Sequence, residues 1–153
     1  MPLHDLVAPN AVIPALKCTS KKQVIQELAA KAAKLVGQNE RTIFETLLQR
    51  EKLGSTGVGN GIAIPHGKLP KLEKLFGFFA RLERPIDFEA MDGQPVDLVF
   101  LLLAPEGAGA DHLKALARIA RRYATLLPPN VAKSSGDIMA PWVSTGLFMA
   151  SPL

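Results

Sequence analysis

The sequence predicts a layered α/β fold in a single domain. Two amphipathic helical segments precede a series of short strand-like segments, a third helical segment follows them, and 48% of the 153 residues are hydrophobic. Helical segments on either side of strands in the chain favour a sheet packed against helices. At about 100–200 residues per domain, the length fits one such unit.

The first two helices are predicted from apolar periodicity and from capping residues. Ser20 and Gln23 form an S-x-x-Q capping box, apolar residues then recur every three or four positions, and Gly37 can end the helix in the left-handed conformation. A second helix is expected between an Asn39 cap and Gly54. The lysines of the first helix are expected to form its solvated face: Lys21, Lys22, Lys31 and Lys34.

Three strands are predicted from short runs of branched and aromatic residues bounded by Pro and Gly. They cover residues 62–64, 75–82 and 96–103, with Asp92-Gly93 as a turn signal before the last of them. The run VDLVFLLL at 96–103 is apolar on both faces after Asp97, so we expect a central strand covered on both sides.

A third helix is predicted after an Asp111 cap, and the periodicity fails from about residue 127. The helix carries a basic outer stripe: Lys114, Arg118, Arg121 and Arg122. We therefore divide the chain into residues 1–126 and an atypical tail, 127–153. A shifted reading frame near Tyr123 would explain the tail, and the loss of a packed helix would expose apolar surface that favours self-association into a homo-oligomer.

Composition excludes several classes of protein. The net charge of +4 falls short of an obligate nucleic-acid binder, and the basic stripe lacks interleaved aromatic residues for base stacking. One cysteine, Cys18, excludes an internal disulfide framework and a zinc site of several thiolates. The longest apolar run, 98–105, is too short to cross a membrane, and the N-terminus lacks the pattern of a secretory signal. We expect a cytoplasmic protein with no membrane insertion.

A glycine-rich segment ending in a histidine is the strongest candidate for a site. GSTGVGNGIAIPHG at 54–67 satisfies neither the P-loop nor the dinucleotide pattern. Its glycines either cradle an anion with backbone amides or form a helix cap and a turn. His66, between Pro65 and Gly67, is expected in a turn, accessible and able to act as a nucleophile or base; alternatively it is a solvated turn residue.

Two further residues could act with His66 on a phosphoryl group. His112 follows the predicted cap of the third helix, where free amides favour phosphate, and Arg50, late in the second helix, offers paired donors to phosphate oxygens. The chain contains no HExxH, Cys-x-x-Cys or G-x-S-x-G motif, which argues against metal-dependent and serine hydrolase chemistry. Transfer from a phosphohistidine donor requires neither a metal nor another cofactor.

These segments resemble a known family. LLQREKLGSTGVGNGIAIPHGK at 47–68 and PIDFEAMDGQPVDLVFLLLAPEGAGADHLKALARIAR at 85–121 closely resemble the EIIA domain of the phosphoenolpyruvate-dependent phosphotransferase system, mannitol/fructose type, within its nitrogen-regulatory branch. The resemblance implies a mixed β-sheet flanked by helices on both faces, a three-layer sandwich, with residues 1–126 as the phosphoryl-carrier domain.

The resemblance also implies roles and partners. His66 matches the phosphoryl-accepting histidine, His112 the second active-site histidine that stabilises the transition state, and Arg50 the arginine that compensates phosphate charge. The expected donor is an HPr-like phosphocarrier protein, and the expected role is a phosphoryl carrier that regulates target proteins such as potassium-transport components. Two alternatives stay open: a sugar-specific EIIA that passes phosphate to an EIIB domain in fructose or mannitol uptake, and a binding module for anions or nucleic acid that uses the basic stripe.

Overall fold

Two helices and six strands make up the part of the chain that the structure, a computed structural model, describes: residues 7–107 and residue 109. In chain order the elements are β1 (Val7–Leu16), α1 (Lys21–Val36), α2 (Glu40–Leu53), β2 (Gly57–Gly59), β3 (Ile62–Ala63), β4 (His66–Leu69), β5 (Phe76–Ile86) and β6 (Val96–Pro105).

Both helices begin and end where the sequence predicts. Ser20 Oγ accepts the Gln23 amide at the start of α1, and Gly37 ends that helix with φ 69°. Asn39 caps α2 through the Thr42 amide. The capping box differs in one detail, because the Gln23 side chain reaches the backbone amide of Thr19 rather than that of Ser20.

The sheet is mixed, as expected, and β6 is its central strand. The strand order is β1-β5-β6-β3-β2, and β4 also pairs with β6. β1 and β5 are parallel, β5 and β6 antiparallel, and both β3 and β4 run parallel to β6. Every residue of β6 from Val96 to Ala104 is buried, so the predicted strand with two covered faces is confirmed.

α1 and α2 pack together on one face of this sheet. Their apolar stripes share a core cluster with residues that alternate along β5 and β6, including Phe78, Ala80, Val99 and Leu101. Side chains alternate between the two faces of a strand, and the intervening Phe79 and Phe100 are also buried, with ring centroids 6.1 Å apart. The face opposite α1 and α2 is therefore closed to solvent at these positions.

β1 is a strand that the sequence pattern did not predict. Among the strands that the structure describes it pairs with β5 alone, from Val7 opposite Gly77 to Leu16 opposite Leu82, with two irregularities in register. Pro9 and Pro14 lie within it, and proline is tolerated in a sheet mainly on an edge strand, where its missing N–H is not needed. The two prolines interrupt the run of branched and apolar residues from which the other strands are predicted.

The glycine-rich segment forms the β2–β3 hairpin, which packs against the loop between β5 and β6. The Met91 amide donates to the Gly57 carbonyl over 3.1 Å. Asp92 joins the two segments, because its Oδ2 accepts the Asn60 amide over 3.0 Å while its Oδ1 accepts the Gln94 amide. The predicted turn at Asp92-Gly93 is confirmed, with Gly93 at φ 71°.

Several expectations concern residues outside the described ranges. They include the third helix from Asp111, its basic stripe with Lys114, Arg118, Arg121 and Arg122, the tail 127–153, and the helix layer expected on the second face of the sheet. Neither of the two helices that the structure describes is long and apolar enough to cross a membrane.

We expect Gly67→Ala to lower the free energy of unfolding by about 1–3 kcal/mol, the usual cost of overpacking. A Cβ at this position in β4 would lie 2.7 Å from Thr46 Cγ2 on α2. Denaturant unfolding would measure the change. Gly107→Ala is the matched control, since nothing lies within 4 Å of a Cβ there. Adding Thr46→Ser, which removes Cγ2 but keeps the hydroxyl, should restore most of the loss; no recovery would contradict the packing explanation.

We expect Asp92→Asn to be less stable than the original protein near neutral pH. This difference in stability should disappear in acid. The amides of Asn60 and then Gln94 favour the charged carboxylate and hold the pKa of Asp92 below its usual value. The unfolded chain therefore takes up a proton first as the pH falls, so the contribution of Asp92 is present above about pH 4 and disappears as the pH falls through the folded pKa. Thermal melts of both proteins between pH 7 and pH 3 would measure this, and a pH-independent difference would refute it.

Candidate functional site

His66 is the first residue of β4, which corrects the sequence-based expectation of a histidine in a turn. β3 and β4 pair in line along the same edge of β6, with Ala63 opposite Val99 and His66 opposite Leu102. Between them Pro65 interrupts the ladder, because it has no N–H to donate. His66 thus lies at the break between two short strands, half-buried, on a backbone held by the central strand.

Two hydrogen bonds fix which ring nitrogen of His66 carries the proton. Nδ1 lies 2.9 Å from the Ile64 carbonyl oxygen, and Nε2 lies 3.2 Å from Arg50 Nε. A guanidinium can only donate and a carbonyl can only accept. The pair of contacts therefore assigns the proton to Nδ1 and a lone pair to Nε2.

Arg50 reaches His66 from the last turn of α2. Its Nη1 donates to the carbonyl of Gly54, the residue that ends the helix, over 2.9 Å, so the guanidinium is held between the helix terminus and the imidazole. A cation in the last turn of a helix is also favoured by the helix dipole. The structure brings together these two predicted site residues, which lie 16 positions apart in the sequence.

Close packing of α2 on β4 makes this contact possible. Gly67, next to His66, has no Cβ, and the space where one would lie is taken by Thr46 Cγ2. Thr46 lies one helical turn before Arg50. The helix therefore approaches the strand closely enough for the arginine side chain to span the remaining distance.

Sequence reasoning missed a buried polar cluster beside Arg50, formed by Glu51, Thr56 and Lys21. Glu51 Oε1 accepts the Thr56 amide over 2.8 Å, and Oε2 accepts the Thr56 hydroxyl over 2.7 Å. Lys21 Nζ lies 3.0 Å from Oε1, which corrects its expected place on the solvated face of α1. A signal was present in the sequence, since Glu51 continues the apolar stripe of Ile43 and Leu47 at four-residue spacing.

Three backbone amides of the glycine-rich segment bond to side chains of the protein itself. The Thr56 amide donates to Glu51, the Gly57 amide to Ser55 Oγ, and the Asn60 amide to Asp92. Gly59 and Gly61 have φ of 105° and 79°, as tight turns require. Of the two explanations left open by the sequence, the cap and turn fits this arrangement better than an anion cradle.

The second predicted histidine, His112, lies outside the residues that the structure describes. Within the described ranges, no three His, Cys, Asp or Glu side chains are grouped in a way that could hold a metal ion. The arrangement that the structure does describe is a neutral imidazole whose lone pair on Nε2 faces a guanidinium. Such a nitrogen can act as a nucleophile, and the guanidinium can stabilise developing negative charge beside it.

Comparison with known proteins identifies the family. Residues 5–125 match the family model of the phosphoenolpyruvate-dependent sugar phosphotransferase system, EIIA 2. The chain is 82% identical over 121 residues to a nitrogen regulatory protein of Bradyrhizobium diazoefficiens, covering 79% of each chain. It is 49% identical over 108 residues to a nitrogen regulatory protein of Klebsiella oxytoca, covering 70% of this chain and 67% of that one.

A solved structure agrees with these relatives. The crystal structure of the nitrogen regulatory protein IIA-Ntr from Neisseria meningitidis superimposes with a TM-score of 0.78 at 30% identity, over 96% of this chain and 99% of the other. The mixed sheet and its helices are thus those of a known fold, and the resemblance seen in the two sequence segments is confirmed. This chain belongs to the EIIA 2 family of the phosphoenolpyruvate-dependent phosphotransferase system.

Proposed function

We propose that the protein is a cytoplasmic phosphoryl carrier of the nitrogen-regulatory branch, which accepts a phosphoryl group on Nε2 of His66. The observation that carries the proposal is the pair of hydrogen bonds at the imidazole. With the proton on Nδ1 held by the Ile64 carbonyl, Nε2 retains the electron pair that attack on phosphorus requires.

The proposed donor is the phosphohistidine of an HPr-like protein. The lone pair of His66 Nε2 forms the new N–P bond, and the electron pair of the broken N–P bond returns to the donor imidazole. No water, metal or cofactor takes part in this exchange. Because the bonds broken and formed are of the same kind, transfer runs in both directions, as a carrier requires.

Arg50 has two successive partners in this proposal. In the unphosphorylated protein its Nε–H donates to His66 Nε2, which is the atom that must attack. As phosphorus approaches, Nε–H turns from the ring nitrogen to a phosphoryl oxygen, so the guanidinium stabilises the charge that the new group brings. His112 is proposed as the second group that stabilises the transition state, on the resemblance of its sequence segment alone.

The regulatory output is proposed to depend on the phosphorylation state of His66. A phosphoryl group adds negative charge at a half-buried position, and a target surface must either accept or reject that charge. High identity to nitrogen regulatory proteins supports regulation over sugar transport as the main role. Potassium-transport components are the proposed class of target.

The direct test is incubation of the protein with phosphoenolpyruvate, enzyme I and an HPr-like carrier. We expect one acid-labile phosphate on His66, bonded to Nε2 and identified by NMR of protein labelled with ¹⁵N-histidine. His66→Ala should accept none. Phosphate on Nδ1, or undiminished labelling of His66→Ala, would refute the assignment, and rapid onward transfer to a sugar-specific EIIB would favour sugar uptake instead.

We expect Arg50→Gln to slow phosphoryl transfer by about 10²–10³-fold, the usual effect of losing one donor to developing charge, without unfolding the protein. Quench-flow measurement of labelling from the phosphorylated carrier would give the rate. Arg41→Gln is the matched control, because Arg41 lies on the same helix and pairs with exposed Glu45. Equal rates for the two variants would contradict the role of Arg50.

A further inference from the structure

The buried carboxylate of Glu51 lies at the start of a chain of hydrogen bonds that ends on His66. Glu51 accepts both the amide and the hydroxyl of Thr56. The Thr56 carbonyl accepts the Ile64 amide over 2.9 Å. The Ile64 carbonyl accepts Nδ1–H of His66 over the same distance. Each residue of the chain is thus hydrogen-bonded directly to the next.

Glu51 is also the direct sequence neighbour of Arg50. Successive residues of a helix point about 100° apart. Here Arg50 contacts the Nε2 side of the imidazole, while Glu51 is connected through Thr56 and Ile64 to the carbonyl that binds the Nδ1 side. One helical turn is thus connected to both edges of the ring. From this we infer that Glu51 is a positioning residue for phosphoryl transfer, which holds His66 in the tautomer with a proton on Nδ1.

The cost of burying Glu51 supports this inference. The residue is 6% exposed, and a buried carboxylate is expensive unless several donors compensate for lost hydration. Thr56 supplies two donors and Lys21 an ammonium group. Replacing such a buried charged pair by apolar residues often leaves stability unchanged or raises it. The burial of Glu51 is therefore better explained by a role in positioning neighbouring residues than by a contribution to the stability of the fold.

Lys21 gives the carboxylate a fixed place relative to α1. Its Nζ lies 3.0 Å from Glu51 Oε1, 3.7 Å from Glu89 Oε1 and 5.2 Å from the centre of the Phe88 ring. The ammonium is thus held from three sides. The ammonium of Lys21 thus joins the N-terminal turn of α1 both to Glu51 in the last turn of α2 and to the loop after β5.

This inference rests on the proposed function, and the experiment distinguishes a failure of the inference from a failure of the proposed function. The tautomer of His66 is read by ¹⁵N NMR of the unphosphorylated full chain, so it needs no donor. The rate of phosphoryl transfer is measured separately. If the unaltered protein accepts no phosphate on His66, the proposed function fails, whereas the tautomer measurement still decides whether Glu51 positions the ring.

We expect Glu51→Gln to move a measurable fraction of His66 into the tautomer with the proton on Nε2 and to slow transfer at least about tenfold. Small displacements of reacting groups cost rates of this order or more. The glutamine keeps the shape but has one oxygen to accept two Thr56 donors. Glu45→Gln, on the exposed face of the same helix, should change neither quantity. A folded Glu51→Gln protein with an unchanged tautomer and rate would overturn the inference.

Thr56→Val provides a second, milder variant should Glu51→Gln fail to fold. It removes the hydroxyl bond to Oε2 and leaves the backbone bond to Oε1 in place. We expect a smaller shift in the tautomer and in the rate, with Thr56→Ser restoring both towards the original values. An unchanged His66 in folded Thr56→Val, or no rescue by serine, would overturn the positioning role.

Discussion

The imidazole of His66 donates Nδ1–H to the Ile64 carbonyl, two residues back across a proline, and the chemistry of the site depends on where that carbonyl lies. It is fixed on both sides along the chain. The Ile64 amide donates to Thr56, and the Pro65 carbonyl accepts the Leu102 amide of β6. Because β6 is buried from Val96 to Ala104, the position of one ring proton is tied to a strand in the core.

The site places flexible side chains on rigid supports. Arg50 has a long side chain that could adopt many conformations in water. Restricting it to one of them when a phosphoryl group binds would cost conformational entropy. Its bonds to the Gly54 carbonyl and to His66 restrict it before any donor arrives. A guanidinium that is already oriented needs less reorganisation when charge develops beside it. The close packing of Thr46 on Gly67 brings α2 and β4 together, so the helix that carries Arg50 lies against the strand that carries His66.

Local patterns in the sequence predicted the caps of both helices, the turn at Asp92-Gly93 and the buried strand β6, because each depends on residues within a few positions. β1, β2 and β4 were not predicted as strands, since Pro9 and Pro14 interrupt the first, two of the three residues of the second are glycine, and HGKL in the third has no apolar alternation. For the site, too, some residues could be predicted from the sequence and others could not. The sequence pattern singled out His66 and Arg50, and the resemblance to a family agreed with it. The pairing of Lys21 with Glu51, 30 positions apart, follows only from how α1 packs on α2.

β3 and β4 pair in line along one edge of β6, so the number of residues between them is constrained as strictly as their identity. Two residues lie between Ala63 and His66, and two lie between their partners Val99 and Leu102. A one-residue insertion here would reverse the face of each following side chain. The imidazole would move to the position of Gly67, where even the methyl group of an alanine would clash with Thr46. Over evolutionary time, this segment should therefore tolerate substitutions at several positions but no insertion or deletion.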